Sequence, residues 1–200
     1  MLQLETPQYT PKQTQILQGA MQVFLRLGYA ATSMDRVASE SGVSKQTIYS
    51  HFRDKEGLFK ALIERATIAR FRRSFDVDAI DGHPAVLLRQ LARIYFTEVV
   101  DDPDYVPLLR IIIGESERFP ELAKVYTQTV IQRGRQLFSE YFDRHPELGI
   151  TDAEALAQIF FGSMVSFVIV QEMLYGKEFS ALNRDRLIDT LMDLVLTKVQ

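Results

Sequence analysis

Helix-start signatures punctuate this chain from Thr10 to Asn183, and between them the apolar residues recur at three- and four-residue spacing. Thr10-Pro11-Lys12-Gln13 offers a capping hydroxyl, a proline at the first helical position and a glutamine that completes a capping box. Ile16, Leu17, Ala20, Val23, Phe24 and Leu27 follow on one face, and Gly28 closes the segment. Thr32-Ser33-Met34-Asp35, Ser44, Asp54 and Thr151-Asp152-Ala153-Glu154 repeat the same grammar. No run alternates apolar and polar residues between turn signals, as a half-buried strand would. The expected fold is therefore all-α, with about nine helices.

The expected boundaries follow from breaks in the pattern. Short helices run from Thr32 to about Glu40 and from Ser44 to about His51, and a longer one runs from Asp54 into the mid-70s. The polar stretch 76–84 with Gly82-His83-Pro84 is a loop. Later helices are expected to reach about Val100, Arg118, Arg144, Tyr175 and Val199. Pro107 falls early in one of them and Phe119-Pro120-Glu121 restarts the next. This gives a head at residues 10–60 and a larger body at 61–200.

Composition limits what such a chain can do. With 46% hydrophobic residues, 13 Phe and 8 Tyr, it can bury a sizeable core. It has no cysteine, which removes disulfides, thiolate metal sites and cysteine nucleophiles. Its three histidines are scattered, and neither a His-Glu-x-x-His helix nor a phosphate-binding glycine loop is present. Glu115 and Glu117 stand two apart and diverge on a helix. The chain is expected to be no enzyme and to carry no cofactor or metal. Met1–Gln8 lacks the basic and apolar regions of a signal peptide. The apolar run Ile159–Val170 is shorter than the about 20 residues a bilayer requires. A cytoplasmic protein without a membrane partner is expected.

Charge is uneven along the chain. The net charge is −3, but residues 1–60 carry seven Lys/Arg against five Asp/Glu, and residues 61–200 carry sixteen against twenty-one. The head is thus +2 and the body −5. Phosphate contact depends on local charge, so an acidic chain can still present a basic head to DNA.

Ala38, Gly42 and Ile48 carry the spacing of a helix-turn-helix: a small residue for close approach, a glycine for the turn and an apolar residue that locks the crossing. The outer face of the second helix shows Lys45, Gln46, Thr47, Tyr49, Ser50 and His51. That mixture of cation, amide, hydroxyls and polar-tipped rings suits base edges and phosphates in a major groove. Thr32, Ser33, Tyr49 and Lys55 are the expected phosphate contacts, at or near helix N-termini. Ser50 and His51 are adjacent and point apart, so they form no catalytic pair.

The stretches Gly28–Ala38, Gly42–Phe52 and Asp54–Phe59, with the motif Gly-Val-Ser-Lys-x-Thr-x-Tyr-x-His-Phe-x-x-Lys-Glu-x-Leu, closely resemble the TetR family of bacterial repressors. The resemblance covers most of residues 12–60. It implies a homodimer in which each head enters one major groove of a palindromic operator, and an effector whose binding to the body releases DNA. It places DNA contacts at Thr32, Ser33, Lys45, Gln46, Thr47, Tyr49, His51 and Lys55, with Phe52 and Phe59 in the core of the head. The run Gly114–Leu122 resembles, less specifically, a body segment in a subgroup of these regulators.

For the body, small residues Gly162, Ser163 and Ser166 with Ile159 mark a face for close helix approach, and Leu187, Leu191 and Leu194 recur at helical spacing on the last helix. These are the expected dimer interface. A helix apolar nearly all round, as at 155–168, is expected to be buried on every side. A small, largely apolar effector would be lined by Phe71, Phe75, Tyr95, Ile113, Phe138, Met164 and Phe167, with Arg110, Glu115, Gln128 and Gln171 as polar groups to orient it. The competing reading is a helical scaffold or adaptor that has kept the fold without binding DNA.

Overall fold

The computed structural model describes residues 8–70 and 84–196. Within them there is helix and no strand, as the apolar periodicity requires. Contacts divide the described chain into two compact units: residues 8–70 with 102–130, and residues 84–101 with 131–196. Residues 102–130 cluster with the head.

The first unit is built on α1 (Pro11–Ala31), α2 (Met34–Ser41), α3 (Lys45–Phe52) and α4 (Lys55–Ala66). Two more helices complete it, α6 (Tyr105–Glu115) and α7 (Pro120–Tyr126). The Thr10 capping box forms, with Thr10 accepting from the Gln13 N–H and the Gln13 side chain accepting from the Thr10 N–H. Helix α1 packs on α2, α4 and α6, and α4 packs on α7. Ile16, Leu17, Val23 and Phe24 of α1 meet Val37, Ile48, Leu58, Phe59 and Leu62 in a core with no exposed surface at these positions. Full burial of each such side chain stabilises by about 1.5–3 kcal/mol before ordering costs.

The second unit holds α5 (Pro84–Ile94), α8 (Gln132–Asp143), α9 (Ala153–Phe167) and α10 (Arg184–Leu196). Three π-helical turns extend or join the helices, at Tyr95–Val100, Thr127–Ile131 and Val168–Met173. Taking Pro120–Asp143 as one run through its π turn, the described residues hold nine α-helices. Helix α8 packs on α9, and α5 packs on α10. Arg89 pairs with Asp189, and Arg93 with Asp185, along the α5–α10 seam.

Several boundaries differ from expectation for local reasons. Helix α4 is interrupted after Ala66, where Thr67 leaves helical geometry and its hydroxyl donates to the Ile63 carbonyl; helix resumes at 68–70, and the rest of the expected continuation to the mid-70s lies outside the described residues. Helix α6 ends at Glu115 rather than near Arg118. Asp152, not Thr151, caps α9 by accepting the Ala155 N–H. Tyr175, where this helix was expected to end, takes the left-handed φ of 60.

The helical backbone of α9 runs on through the π turn from Ala153 to Met173, 21 residues with mean hydropathy 1.8 in its most apolar window, a length and composition that a protein's core helix can also have. Contrary to expectation, the helix is not buried on every side. Phe160, Phe161, Met164 and Phe167 face inward, while Ile159 is 55% exposed and Val170 44%.

Candidate nucleic-acid interface

The turn between α2 and α3 forms as the spacing demands. Gly42 adopts φ 62, ψ 37, the left-handed region that a side chain disfavours. Its N–H donates to the Ser39 carbonyl, and the Val43 N–H reaches back to the Ala38 carbonyl. This pair of bonds is a Schellman motif, which satisfies the last carbonyls of α2. Ser44 then caps α3 by accepting the Thr47 N–H. Ile48 and Phe52, four apart, face the core, and the helix can only present the rest outward.

Lys45, Gln46, Tyr49, Ser50 and His51 are exposed, and Thr47 is half-buried. The face expected to read base edges is therefore a solvent face in the folded chain. It is also partly pre-ordered. Lys45 Nζ lies 2.8 Å from Asp35 Oδ2 of α2, a pair that raises the Lys45 pKa mainly through its hydrogen bond. Ser50 donates to the Thr47 carbonyl, and the Ser44 and Thr47 hydroxyls share a hydrogen bond.

Two expected phosphate contacts, Thr32 and Lys55, are engaged within the chain. Thr32 is buried, and its hydroxyl donates 2.7 Å to the Gly28 carbonyl, so Ser33 alone caps α2, accepting the Arg36 N–H. Lys55 is half-buried and donates to the carbonyls of Tyr29, at 2.8 Å, and Thr32, at 3.0 Å. Its ammonium also lies 4.2 Å from the centre of the Tyr29 ring. Burial lowers its pKa, while Glu115 and Glu121 act in the opposite sense. Thr32 and Lys55 thus hold the corner between α1 and α2.

Sequence reasoning missed Arg53. It is exposed and follows the reading helix directly, with φ 65 and ψ −56. The Asp54 N–H closes a tight turn across it to the Phe52 carbonyl at 2.8 Å. This is a γ-turn with a left-handed central residue, a strained arrangement for a residue with a side chain. No local sequence signal marks it, since arginine is an ordinary helix former.

Profiles of known families match both parts of the chain. One described as "Bacterial regulatory proteins, tetR family" matches residues 16–62, and one described as "AefR-like transcriptional repressor, C-terminal domain" matches residues 87–198. The chain belongs to the TetR family of bacterial regulatory proteins.

Relatives agree with that membership. The uncharacterised helix-turn-helix regulator YerO of Bacillus subtilis is 24% identical over 189 residues, covering 92% of this chain and 65% of its own. The regulator AcrR of Shigella flexneri is 29% identical over 131 residues, covering 64% of this chain and 58% of its own. The chain spans less than two thirds of the length of either. Among solved structures, the flavonoid-responsive regulator FrrA superposes with a TM-score of 0.71 at 27% identity, covering 93% of this chain and 95% of that one. FadR of Bacillus subtilis, solved with stearoyl-CoA, gives a TM-score of 0.71 at 18% identity, covering 94% and 99%, and shows a shared fold. This TetR-family chain is accordingly a helix-turn-helix transcriptional regulator.

The expected effector residues of the regulator are scattered. Phe71 and Phe75 lie outside the described residues. Tyr95, Phe138, Met164 and Phe167 are buried in the second unit. The rings of Tyr95, Phe138 and Phe167 belong to one packed aromatic cluster, Tyr95 at 5.8 Å from Phe161 and 5.4 Å from Phe96, Phe138 at 6.3 Å from Phe161, and Phe167 at 5.2 Å from Phe96. Gln171 is buried, but its amide bonds the Ser180 carbonyl and the Leu182 N–H, which ties down the segment before α10. In the first unit, Arg110 is half-buried, whereas Ile113 and Gln128 are exposed. Exposure at Ile113 and Gln128 runs against their expected place in a lining.

The expected dimer residues converge better. Ile159, Gly162, Ser163, Ser166 and Leu187 line one open groove of about 690 Å³ on the second unit. Leu194 is 57% exposed on α10. Leu191 is the exception: it is buried within the chain's own core, one helical turn from Ile188 and Val195.

Proposed function

We propose that this regulator is a repressor that binds a palindromic operator as a homodimer and lets go when a small, largely apolar effector binds its body. The single observation that carries the DNA-binding half is the outer face of α3. Lys45, Gln46, Tyr49, Ser50 and His51 stand exposed on an eight-residue helix whose other side is anchored by Ile48 and Phe52. Lys45 and Tyr49 with Ser33 are the backbone contacts in this reading, and Gln46, Thr47, Ser50 and His51 face base edges.

The dimer half is supported by the groove along α9, whose small residues would let a second copy approach closely. Half-sites on one face of the duplex lie about 34–36 Å or a multiple apart, so two heads must be held at a fixed spacing. The repressor sense is supported by the description of the family profile over 87–198. An apolar effector is supported by the aromatic cluster around Tyr95 and Phe138, by the flavonoid response named for FrrA and by the complex of FadR with stearoyl-CoA. Such a regulator works in the cytoplasm, where the DNA is.

Fluorescence anisotropy against random duplex at several salt concentrations tests the first half, and selection from a random pool gives the preferred sequence. Binding should weaken linearly on log–log axes as salt rises. Gln46→Ala should change the selected sequence and leave the salt slope intact. Absence of binding at low salt would instead favour a scaffold that has kept the fold alone.

A further inference from the structure

Glu115, the last residue of α6, reaches back to α1. Its Oε1 accepts the Tyr29 N–H at 2.6 Å and its Oε2 accepts the Ala30 N–H at 2.9 Å. Those donors need an acceptor because Gly28, with φ 75 and ψ 174, breaks the helical ladder just before them. Gly28 also leaves the route open: a Cβ there would stand 2.7 Å from Glu115 Oε1.

The same corner is held from its other side. Lys55 donates to the Tyr29 and Thr32 carbonyls. A carboxylate on the donors and an ammonium on the acceptors thus grip one stretch of backbone from α6 and α4. Phe119, four residues past Glu115, packs edge-on against the Tyr29 ring at 5.1 Å. From Thr32 the chain enters α2 directly, and Asp35 of α2 pairs with Lys45 of α3. The gripped corner therefore sets the entry angle of the reading head.

We infer that Glu115 is a positioning residue for DNA recognition, the link through which α6 fixes the turn at Tyr29–Thr32 and with it the presentation of α3. This rests on the DNA-binding reading above. A carboxylate suits the task because it offers two equivalent acceptors to two neighbouring N–H groups; a glutamine offers one. Glu115 was expected to orient a ligand, and its two acceptors are turned on the head instead.

The sign of the effect separates positioning from charge. Removing a negative charge from a DNA-binding unit should by itself tighten binding. Glu115→Gln is expected to weaken it about tenfold, the scale of one lost charge-assisted hydrogen bond. Glu117→Gln makes the same charge change two residues on, at an exposed position, and is expected to bind as tightly as the wild type or tighter. The salt slope should not change in Glu115→Gln, since no phosphate contact is lost.

In the full chain, amide exchange at Tyr29 and Ala30 should accelerate in Glu115→Gln while Ile48 and Leu62 keep their protection. Glu115→Asp serves if Glu115→Gln does not fold: it keeps the charge, withdraws the carboxylate by one methylene, and should also weaken binding. Unchanged or tighter binding by the Glu115 variant, or unchanged exchange at Tyr29 and Ala30, would overturn the inference. If the wild-type chain binds no duplex at low salt, the DNA-binding reading falls with the recognition role, and the exchange result alone tells whether Glu115 holds the corner.

Discussion

Tyr29 is the residue on which most of the head's fixed geometry converges. Its ring stacks on Phe24 at 5.7 Å and meets Phe59 and Phe119 edge-on at 5.2 and 5.1 Å. Its N–H and C=O are held by Glu115 and Lys55. Burial, reinforced by Glu121, Glu56, Asp54 and Glu115, pushes the phenol up to about 12 from its ordinary 10. Tyr141 is likewise raised to about 12 by burial and Glu147. A folded-state pKa above the unfolded one means the folded chain holds its proton longer. The stability this represents is complete below pH 10 and is lost as pH climbs toward 12. Urea midpoints measured from pH 8 to 11 should stay level and then fall. Tyr29→Phe keeps the ring contacts and should make that fall shallower; an identical decline would show that Tyr29 does not titrate with unfolding.

Among the elements, the α2–α3 turn is the most demanding. A side chain at Gly42 would have to adopt φ 62 to keep the Schellman bonds. Gly42→Ala should therefore cost about 1–2 kcal/mol of stability, read from chemical denaturation. Misplacing α3 should weaken DNA binding beyond that loss of folded chain, measured at a temperature where the variant is fully folded. Unchanged stability would mean that the turn relaxes to another geometry. The π turns stand in contrast. Tyr95–Val100 and Val168–Met173 place Tyr95 and Gln171, both expected effector residues, in wide turns of backbone. Such turns occur often at functional sites, yet nothing in residue type announces them.

At the scale of the whole molecule, the apolar face of α9 and α10 is the unresolved surface of the single chain. Ile159 and Leu194 are more than half exposed, and the groove that Ile159 lines runs past Gly162, Ser163 and Ser166 to Leu187. Ile159→Arg leaves the internal core untouched, so the folded chain should survive with a melting temperature within a few degrees. Sedimentation velocity should then show a monomer where the wild type shows a dimer, and affinity for a palindromic site should drop. A wild-type monomer would remove the homodimer from the proposed function.

The all-α class, the capping box at Thr10, the caps at Ser44 and Asp54 and the helix-turn-helix at Ala38, Gly42 and Ile48 were legible in the sequence. They depend on interactions within a few residues, which neighbouring side chains decide. So was the family, because a long local motif carries it. The outer face of α3 followed from periodicity once Ile48 and Phe52 were placed inside. The sequence alone did not reveal that Thr32 turns inward, that Lys55 is engaged by two carbonyls, or that Glu115 caps a turn 85 and 86 residues away. The Lys55 and Glu115 contacts join positions far apart in the chain. Any polar residue near a helix end can serve a phosphate or a backbone group, and only the tertiary packing that brings α6 and α4 against the end of α1 decides which.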